Sequence, residues 1–363
     1  MMPEELRSIA LDCRQQSTKG KKRLYADNPA SMVHSWFAPA SLHGKQGHEL
    51  VAILLTRGCK HYYSDTLGCT MCGYNNDSAG EPVPPDAVLA QFEAALAKHD
   101  GQLRAASDVV VKIFNSGSFF DDQEIPASTQ ETILKRVASL PQVKEIAVES
   151  RPEFLDAASA RRFKACLRRD QTGEVGIGLE TWNDVVRAEF INKGFTCDHF
   201  LQAHDTLREA SIGTKVYVLL KPPFLDERAA FDDALASIEH VMALGVSTIS
   251  INPVTIHANT VVERLWERNM YRPPWLRTVR LLLHSTLTSR VRDERTLVIC
   301  DPVAGGKPRG PHDCKDPACN DTSLAAIKAA TEAQAAVPGL DPMQLDARDG
   351  CGCALQWLDE MRL

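Results

Sequence analysis

From about residue 50 onward, short runs of apolar and β-branched residues alternate with longer stretches whose apolar positions recur every three or four residues. The short runs predict strands at Leu50–Leu55, Val109–Phe114, Glu145–Val148, Val175–Leu179, Lys215–Leu220 and Thr248–Ile251. Several are apolar almost throughout, as strands covered on both faces must be. The longer stretches predict helices over Pro84–Lys98, Ser128–Leu140, Ala157–Arg168, Asp198–Ala210 and Arg228–Leu244, with Pro85 and Pro126 where a helix start tolerates proline. Strand–helix alternation of this kind predicts a parallel α/β sheet with right-handed crossovers. No repeat of fixed period accompanies it, which excludes a solenoid. Periodicity alone leaves a barrel and an open sheet as alternatives.

Ligands of parallel α/β folds gather at the carboxyl ends of the strands, and there this chain turns polar. The ends read Thr56-Arg57-Gly58-Cys59, Asn115-Ser116-Gly117-Ser118, Glu149-Ser150-Arg151-Pro152, Glu180-Thr181, Lys221-Pro222-Pro223 and Asn252-Pro253. One such end is the ordinary way a strand becomes a loop. Six in succession point to a ligand site.

The composition is that of a globular protein: 363 residues, 44% hydrophobic and 24% charged. A formal charge of −6 gives no sign of a free-standing nucleic-acid binder. With no apolar run of about 18 residues and a charged N-terminal stretch lacking an apolar core, the expectation is a cytoplasmic protein. Eleven cysteines change the picture. Their odd number argues against a secreted disulfide framework, and clustered thiols in a reducing compartment bind metal or do chemistry. Cys13, Cys166 and Cys197 stand alone and read as small hydrophobes.

The front cluster, Cys59, Cys69 and Cys72, follows the first predicted strand in a loop punctuated by Gly58, Gly68 and Gly73. Three thiolates can hold three irons of a cubane cluster and leave the fourth iron open to a ligand. A zinc site completed by His61 is the alternative.

With its strand ends, this loop resembles the radical S-adenosylmethionine (SAM) superfamily, with a core like that of the elongator catalytic subunit. More closely, it resembles the radical SAM subunits of archaeosine synthases. The likeness rests on Cys69-Thr70-Met71-Cys72-Gly73-Tyr74, Phe114-Asn115-Ser116-Gly117-Ser118-Phe119, Glu149-Ser150-Arg151-Pro152 and Gly176-Ile177-Gly178-Leu179-Glu180-Thr181. It continues through Asn252-Pro253, Tyr271-Arg272-Pro273-Pro274-Trp275, Cys300-Asp301-Pro302-Val303 and Gly305-Gly306-Lys307-Pro308-Arg309-Gly310-Pro311-His312. The departures are nine residues between Cys59 and Cys69, where the superfamily usually has three, and Met71 where an aromatic usually covers the adenine.

The resemblance implies a partial parallel (β/α)6-type barrel over residues 49–295, after an N-terminal extension of 1–48. It implies a [4Fe-4S] cluster on Cys59, Cys69 and Cys72, whose reduction cleaves SAM to a 5′-deoxyadenosyl radical. It places Asn115, Ser116 and Gly117 at the methionyl ammonium group, Arg151 at the methionyl carboxylate and Met71 over the adenine. Glu149 and Glu180 fall to ribose hydroxyls or the amino group, and Asn252 to adenine or ribose. No catalytic side chain beyond the cluster is assigned. The implied reaction is C–N cleavage of a lysine adduct on 7-deazaguanine in tRNA, with a tRNA-guanine-transglycosylase-like partner subunit and an electron donor. A radical SAM enzyme acting on a small molecule or peptide, or a non-catalytic zinc or RNA-binding module, are the other readings.

A rear cluster, Cys314-x4-Cys319 and Cys351-x-Cys353, brackets a predicted helix at Ser323–Ala336. Two cysteine pairs make a closed four-thiolate zinc site, which would clip residues 296–363 into a small Cys-rich appendage. An auxiliary iron–sulfur cluster is the rival, and Cys300 and His312 are spare ligands. Basic residues at Lys19, Lys21, Lys22, Arg23, Lys307 and Arg309 are what contact with RNA phosphates would need.

Overall fold

A computed structural model describes residues 4–18, 33–42, 45–343 and 351–362. Eight strands form one sheet in chain order: β1 (His34–Leu42), β2 (Lys45–Leu54), β3 (Val109–Asn115), β4 (Val143–Glu149), β5 (Thr172–Glu180), β6 (Gly213–Leu220), β7 (Thr248–Pro253) and β8 (Leu297–Cys300). β1 and β2 are antiparallel; β2 to β5, and β7 with β8, pair in parallel. A doubly wound sheet reverses its strand order part-way; this one does not, which decides for the barrel type of topology. The six predicted strands are all present, with ends shifted by a few residues. β1 and β8 lie outside the prediction. β1 carries a proline, and β8 is only four residues long, so neither makes a sustained apolar run.

The longer helices are α1 (Glu4–Thr18), α2 (Pro85–Lys98), α3 (Ala127–Ala138), α4 (Ala157–Cys166), α5 (Cys197–Glu209), α6 (Glu227–Ala243), α7 (Leu276–Thr288), α8 (Pro317–Ala333) and α9 (Cys353–Met361). Their starts have local causes. Pro85 opens α2 with a φ already suited to a helix. Asp156 and Ser159 cap α4 reciprocally, each side chain taking the other's backbone N–H. No described helix is long and apolar enough to cross a membrane.

The chain divides into two compact units. One comprises Leu11–Gly178 and Gly194–Lys215. Its helices α2, α3 and α4 bury Phe92, Ile133, Val137 and Phe163 completely beneath the strands' outer face. Each such side chain contributes roughly 1.5–3 kcal/mol by leaving water. The other face is partly charged: Lys112 pairs with Glu49 at 2.6 Å. Burial pushes the Lys215 ammonium below its ordinary value, against the pull of Glu174 and Glu149. The other unit comprises Met1–Ala10, Leu179–Lys193 and Val216–Leu363. Its core holds Trp275 and Trp357, both almost fully buried.

Candidate functional site

In the first unit the site begins where β2 ends. Gln91 of α2 accepts the Leu55 N–H at 2.7 Å and donates to the Leu55 carbonyl at 3.0 Å, fixing the strand end. The loop beyond it closes on itself: the N–H groups of Ala79 and Gly80 reach the carbonyls of Thr56 and Arg57 at 2.9 and 3.0 Å. Gly58 sits at φ +98°, with Ser78 2.7 Å from where a Cβ would stand, so no other residue fits there.

Buried Asn75 ties the cysteines together, accepting the Cys59 N–H at 3.2 Å and lying 4.0 Å from the Cys72 Sγ. The Cys72 N–H reaches the Cys69 carbonyl at 3.3 Å. Arg151, buried at the end of β4, acts on the thiols of both Cys59 and Cys69. Burial lowers the pull for its charge, but Glu153 and those two thiols outweigh it and hold the guanidinium above its ordinary value. Burial likewise pushes the Cys59 thiol up, with Arg151 opposing. Arg151 also bonds Glu153 through Nε at 2.5 Å and lies over the Phe195 ring. The three sulfurs are not all within 4.8 Å of one another.

The long first spacing has a structural account. The extra residues form a helical turn, Lys60–Tyr63. Arg14 of α1 clasps it, donating to the carbonyls of Ser64 and Tyr63 at 3.1 and 3.2 Å and lying over both tyrosine rings. His61 is occupied elsewhere. Its Nδ1 meets the Thr66 hydroxyl at 2.9 Å, and a Cβ on Gly194 would stand 2.4 Å from its ring. Met71 is half-buried in the same loop, and Tyr74 is exposed.

The end of β3 is organised by a residue the sequence did not single out. Glu124, almost fully buried, accepts from the Thr56 hydroxyl, from Asn115 Nδ2 at 2.6 Å and from the Ser118 N–H at 2.9 Å. Burial pushes its carboxyl up against these three lowering contacts. A Cβ on Gly117 would stand 1.9 Å from Glu124 Oε2, so the glycine is required by this carboxylate. Ser118 continues the chain of contacts, accepting the Arg151 N–H at 3.1 Å, while the Phe119 N–H reaches the Glu149 carbonyl at 2.8 Å. Thus Cys59, Cys69, Cys72, Asn115 to Ser118, Glu149 and Arg151 form one connected patch in this unit. Asn115 Oδ1 is buried there with no hydrogen-bond partner. Glu124 hides in an ordinary acidic run, Asp121-Asp122-Gln123-Glu124, and neither periodicity nor spacing marks it.

The second unit holds the other predicted residues. Glu180 ends β5 at φ +69°, paired with Lys193 at 2.6 Å. A π-helix, Val186–Ile191, lies between them in sequence, a rare element that frequently marks functional sites. Asn252, in β7, accepts from the Ser250 hydroxyl at 3.0 Å.

The rear cysteines converge. The sulfurs of Cys314, Cys319, Cys351 and Cys353 all lie within 4.8 Å of one another, with Cys314 and Cys351 3.6 Å apart. Burial and the neighbouring thiols push Cys353 up to about 11, while contacts from Cys353 pull Cys351 down. Neither spare ligand joins this group. Cys300 is buried, its thiol pushed up by burial, and His312 Nδ1 meets the Gly310 carbonyl at 2.8 Å. The intervening helix is α8, starting six residues earlier than predicted because Asp316 caps it and Pro317 opens it. Arg309 is committed to Glu263 at 2.8 Å and to the Trp266 face. The basic run Lys19–Arg23 lies outside the described residues.

Comparison with known proteins decides the family. The archaeosine synthase subunit beta of Methanosarcina acetivorans is 38% identical over 77% of this chain and 78% of its own length. That of Thermococcus kodakarensis is 36% identical over 77% of this chain and 83% of its own. The chain belongs to the archaeosine synthase subunit beta family. No established family profile matches it. Solved structures similar to this one include radical SAM enzymes. SuiB of Streptococcus suis bound to S-adenosylmethionine has a TM-score of 0.48 and 11% identity, over 70% of this chain and 50% of that one. The Elp3 of Methanocaldococcus infernus has a TM-score of 0.42 and 10% identity, over 57% and 51%. The family expected from the cysteine loop and strand ends is therefore borne out.

Proposed function

We propose that this chain is a radical SAM enzyme acting in tRNA modification, as the β subunit of an archaeosine-forming complex. The observation that carries it is the placement of Cys59, Cys69 and Cys72 in one loop. Asn75 joins two of these cysteines and Arg151 acts on two. The donor set fits a [4Fe-4S] cluster, since three thiolates from one loop suit three irons and leave the fourth open to a ligand. SAM fits beside it: Asn115 Oδ1 is a buried acceptor awaiting a donor, as an ammonium group would supply.

When bound, the cluster and SAM supply a 5′-deoxyadenosyl radical; the chain's own residues bind and orient. Asn115, Ser116 and Gly117 face the methionyl ammonium, with Glu124 holding that turn in place. Arg151 keeps a positive charge at the thiolates and is placed to take a carboxylate. Glu149, Glu180, Asn252 and Met71 are assigned to the nucleoside part of SAM. The reaction proposed is cleavage of the C–N bond of a lysine adduct on 7-deazaguanine in tRNA. The relatives' name, a β subunit, supports a partner subunit; its transglycosylase type and an external electron donor belong to the proposal alone.

The rear cysteines are proposed to bind zinc. Thiolates at about 2.3 Å from one tetrahedral ion stand about 3.8 Å apart, close to the spacing here, whereas a cubane cluster would hold them wider.

The test is anaerobic incubation of the reconstituted chain with SAM, a reductant and tRNA bearing the lysine adduct, followed by nucleoside mass spectrometry. Formation of 5′-deoxyadenosine together with archaeosine is the expected result. Absence of both, with iron bound, overturns the reading.

A further inference from the structure

The cysteine loop contains a buried amide whose two ends are told apart by what they meet. Asn75 is only 2% exposed. A 3-10 turn, Tyr74–Asp77, follows Cys72 and Gly73, and residues three apart in such a turn lie on one side. Asn75 thus comes back over Cys72, its amide nitrogen 4.0 Å from the Cys72 Sγ. Its amide oxygen accepts the Cys59 N–H at 3.2 Å. A backbone N–H can only donate, so the oxygen must be the end at Cys59 and the NH2 the end at Cys72. The surroundings hold the side chain there. A Cβ on Gly58 would stand 3.0 Å from Asn75 Oδ1. The Asn75 carbonyl accepts the Ser78 hydroxyl at 2.9 Å, and Ser78 Oγ meets the Tyr63 hydroxyl at 2.9 Å.

A thiolate bound to iron carries part of the cluster's negative charge, and an added electron increases it. An N–H aimed at that sulfur therefore stabilises the reduced state more than the oxidised one. Hydrogen bonds to the sulfurs are among the levers by which a protein sets such potentials. Burial strengthens the effect, because a dipole counts for more where water is excluded. The loop divides the task between a charge and a dipole. Arg151 acts on Cys59 and Cys69, and Asn75 serves Cys72. On the reading above, Arg151 also takes the methionyl carboxylate, which offsets its charge once SAM is bound. The neutral amide of Asn75 has no such second duty.

We propose that Asn75 is a positioning residue for electron entry: acting through Cys72, its amide donates to the thiolate sulfur and raises the potential of the cluster that this loop holds. The cluster then accepts one electron from its donor more readily, and Asn75 keeps its protons throughout. The inference rests on the preceding reading for the identity of the cluster. It adds a residue outside the SAM contacts that sets how easily the electron arrives.

The test is an anaerobic potentiometric titration of the reconstituted full chain without SAM, followed by the electron paramagnetic resonance signal of the reduced cluster. Asn75→Leu keeps the volume and removes the donor. Its reduction constant should be about tenfold lower, a shift of about 59 mV for one electron, with iron content unchanged. A change under about twofold, or about 18 mV by the same conversion, overturns the inference. The second measurement uses the parent, so it decides even where Asn75→Leu binds no iron. With asparagine isotopically labelled at the side-chain amide nitrogen, pulsed resonance of the reduced cluster should show one weakly coupled nitrogen across the N–H to sulfur contact. The amide nitrogen of Asn115 is committed to Glu124. Absence of the coupling overturns the inference even where the potential moves, since the shift would then come from a rearranged loop. A parent that assembles no iron–sulfur cluster sinks this inference and the reading above together. A parent that shows both signatures yet never converts tRNA leaves the inference standing and sinks that reading alone.

Discussion

Asn115 donates its amide nitrogen to the Glu124 carboxylate at 2.6 Å, and its amide oxygen is left buried without a partner. The carboxylate takes the nitrogen end of the amide, which leaves the oxygen as the acceptor for a bound donor. Replacing Asn115 with Leu removes that acceptor at similar volume. SAM affinity should fall about ten- to a hundredfold, the range for one hydrogen bond to a charged group, while iron content stays unchanged. Equilibrium dialysis under anaerobic conditions reads both quantities. SAM affinity within twofold of the parent would remove Asn115 from the site.

Gly117→Ala tests the same turn from the other side. The new methyl would stand 1.9 Å from Glu124 Oε2, so the carboxylate must leave Thr56, Asn115 and the Ser118 N–H. Stranding buried partners costs about 1–3 kcal/mol each, so a marked drop in melting temperature and loss of 5′-deoxyadenosine formation are expected together. A variant with parental stability would show that the turn has room to move.

Glu124 also gives stability a pH dependence of known sign. Its carboxyl is pushed above the ordinary value of 4.5, chiefly by burial. A carboxyl raised in the folded state holds its proton more tightly there than in the unfolded chain. Its contribution is therefore fully present below the unfolded value and declines as pH rises through the folded one. In Glu124→Gln this decline disappears. Denaturant unfolding between about pH 5 and pH 8 should show the parent losing stability relative to the variant as pH rises. Parallel curves would show that Glu124 titrates normally.

The clasp on the cysteine loop predicts a kinetic effect. Arg14→Ala removes two donors from the carbonyls of Ser64 and Tyr63 and the cover over two rings. Both carbonyls are part-buried, so global stability should drop by no more than about 1–2 kcal/mol. The loop itself, released from α1, should lose iron several-fold faster in the presence of a chelator, read as decay of visible absorbance. An unchanged decay rate would make Arg14 a surface ornament of α1.

The sequence showed the alternation of strands and helices, both cysteine clusters and the polar strand ends, because each is a local pattern. Its strand prediction held for β2 to β7, where apolar runs are long, and missed β8, whose four residues make no run. Glu124, Asn75 and Gln91 were invisible because their importance comes from contacts 68, 16 and 36 residues away in the chain. Neither composition nor spacing distinguishes such a carboxylate or amide from a solvated one. The same holds for the strained Lys221, whose left-handed φ appears nowhere in the letters Lys-Pro-Pro.

The rear cluster supports the last prediction. Four sulfurs within 4.8 Å of one another belong to segments separated by α8 and by more than thirty residues of chain. Unligated thiols gain little from such crowding, and ionised ones repel, so the arrangement needs a cation to be favourable. Because binding energy at such a site is folding energy, losing one ligand should loosen what the metal anchors. That element is α9, which starts at Cys353 and buries Trp357 and Met361. Cys319→Ser should therefore lose about one zinc per chain by elemental analysis and retain its iron. Amide exchange should rise over Cys353–Met361 and over the Trp275 segment that α9 covers, while β3 keeps its protection, since its contacts lie in the other unit. Additional iron in place of zinc would convert the site to a cluster. Unchanged exchange in α9 after metal loss would show that Trp357 and Met361 hold the helix without it.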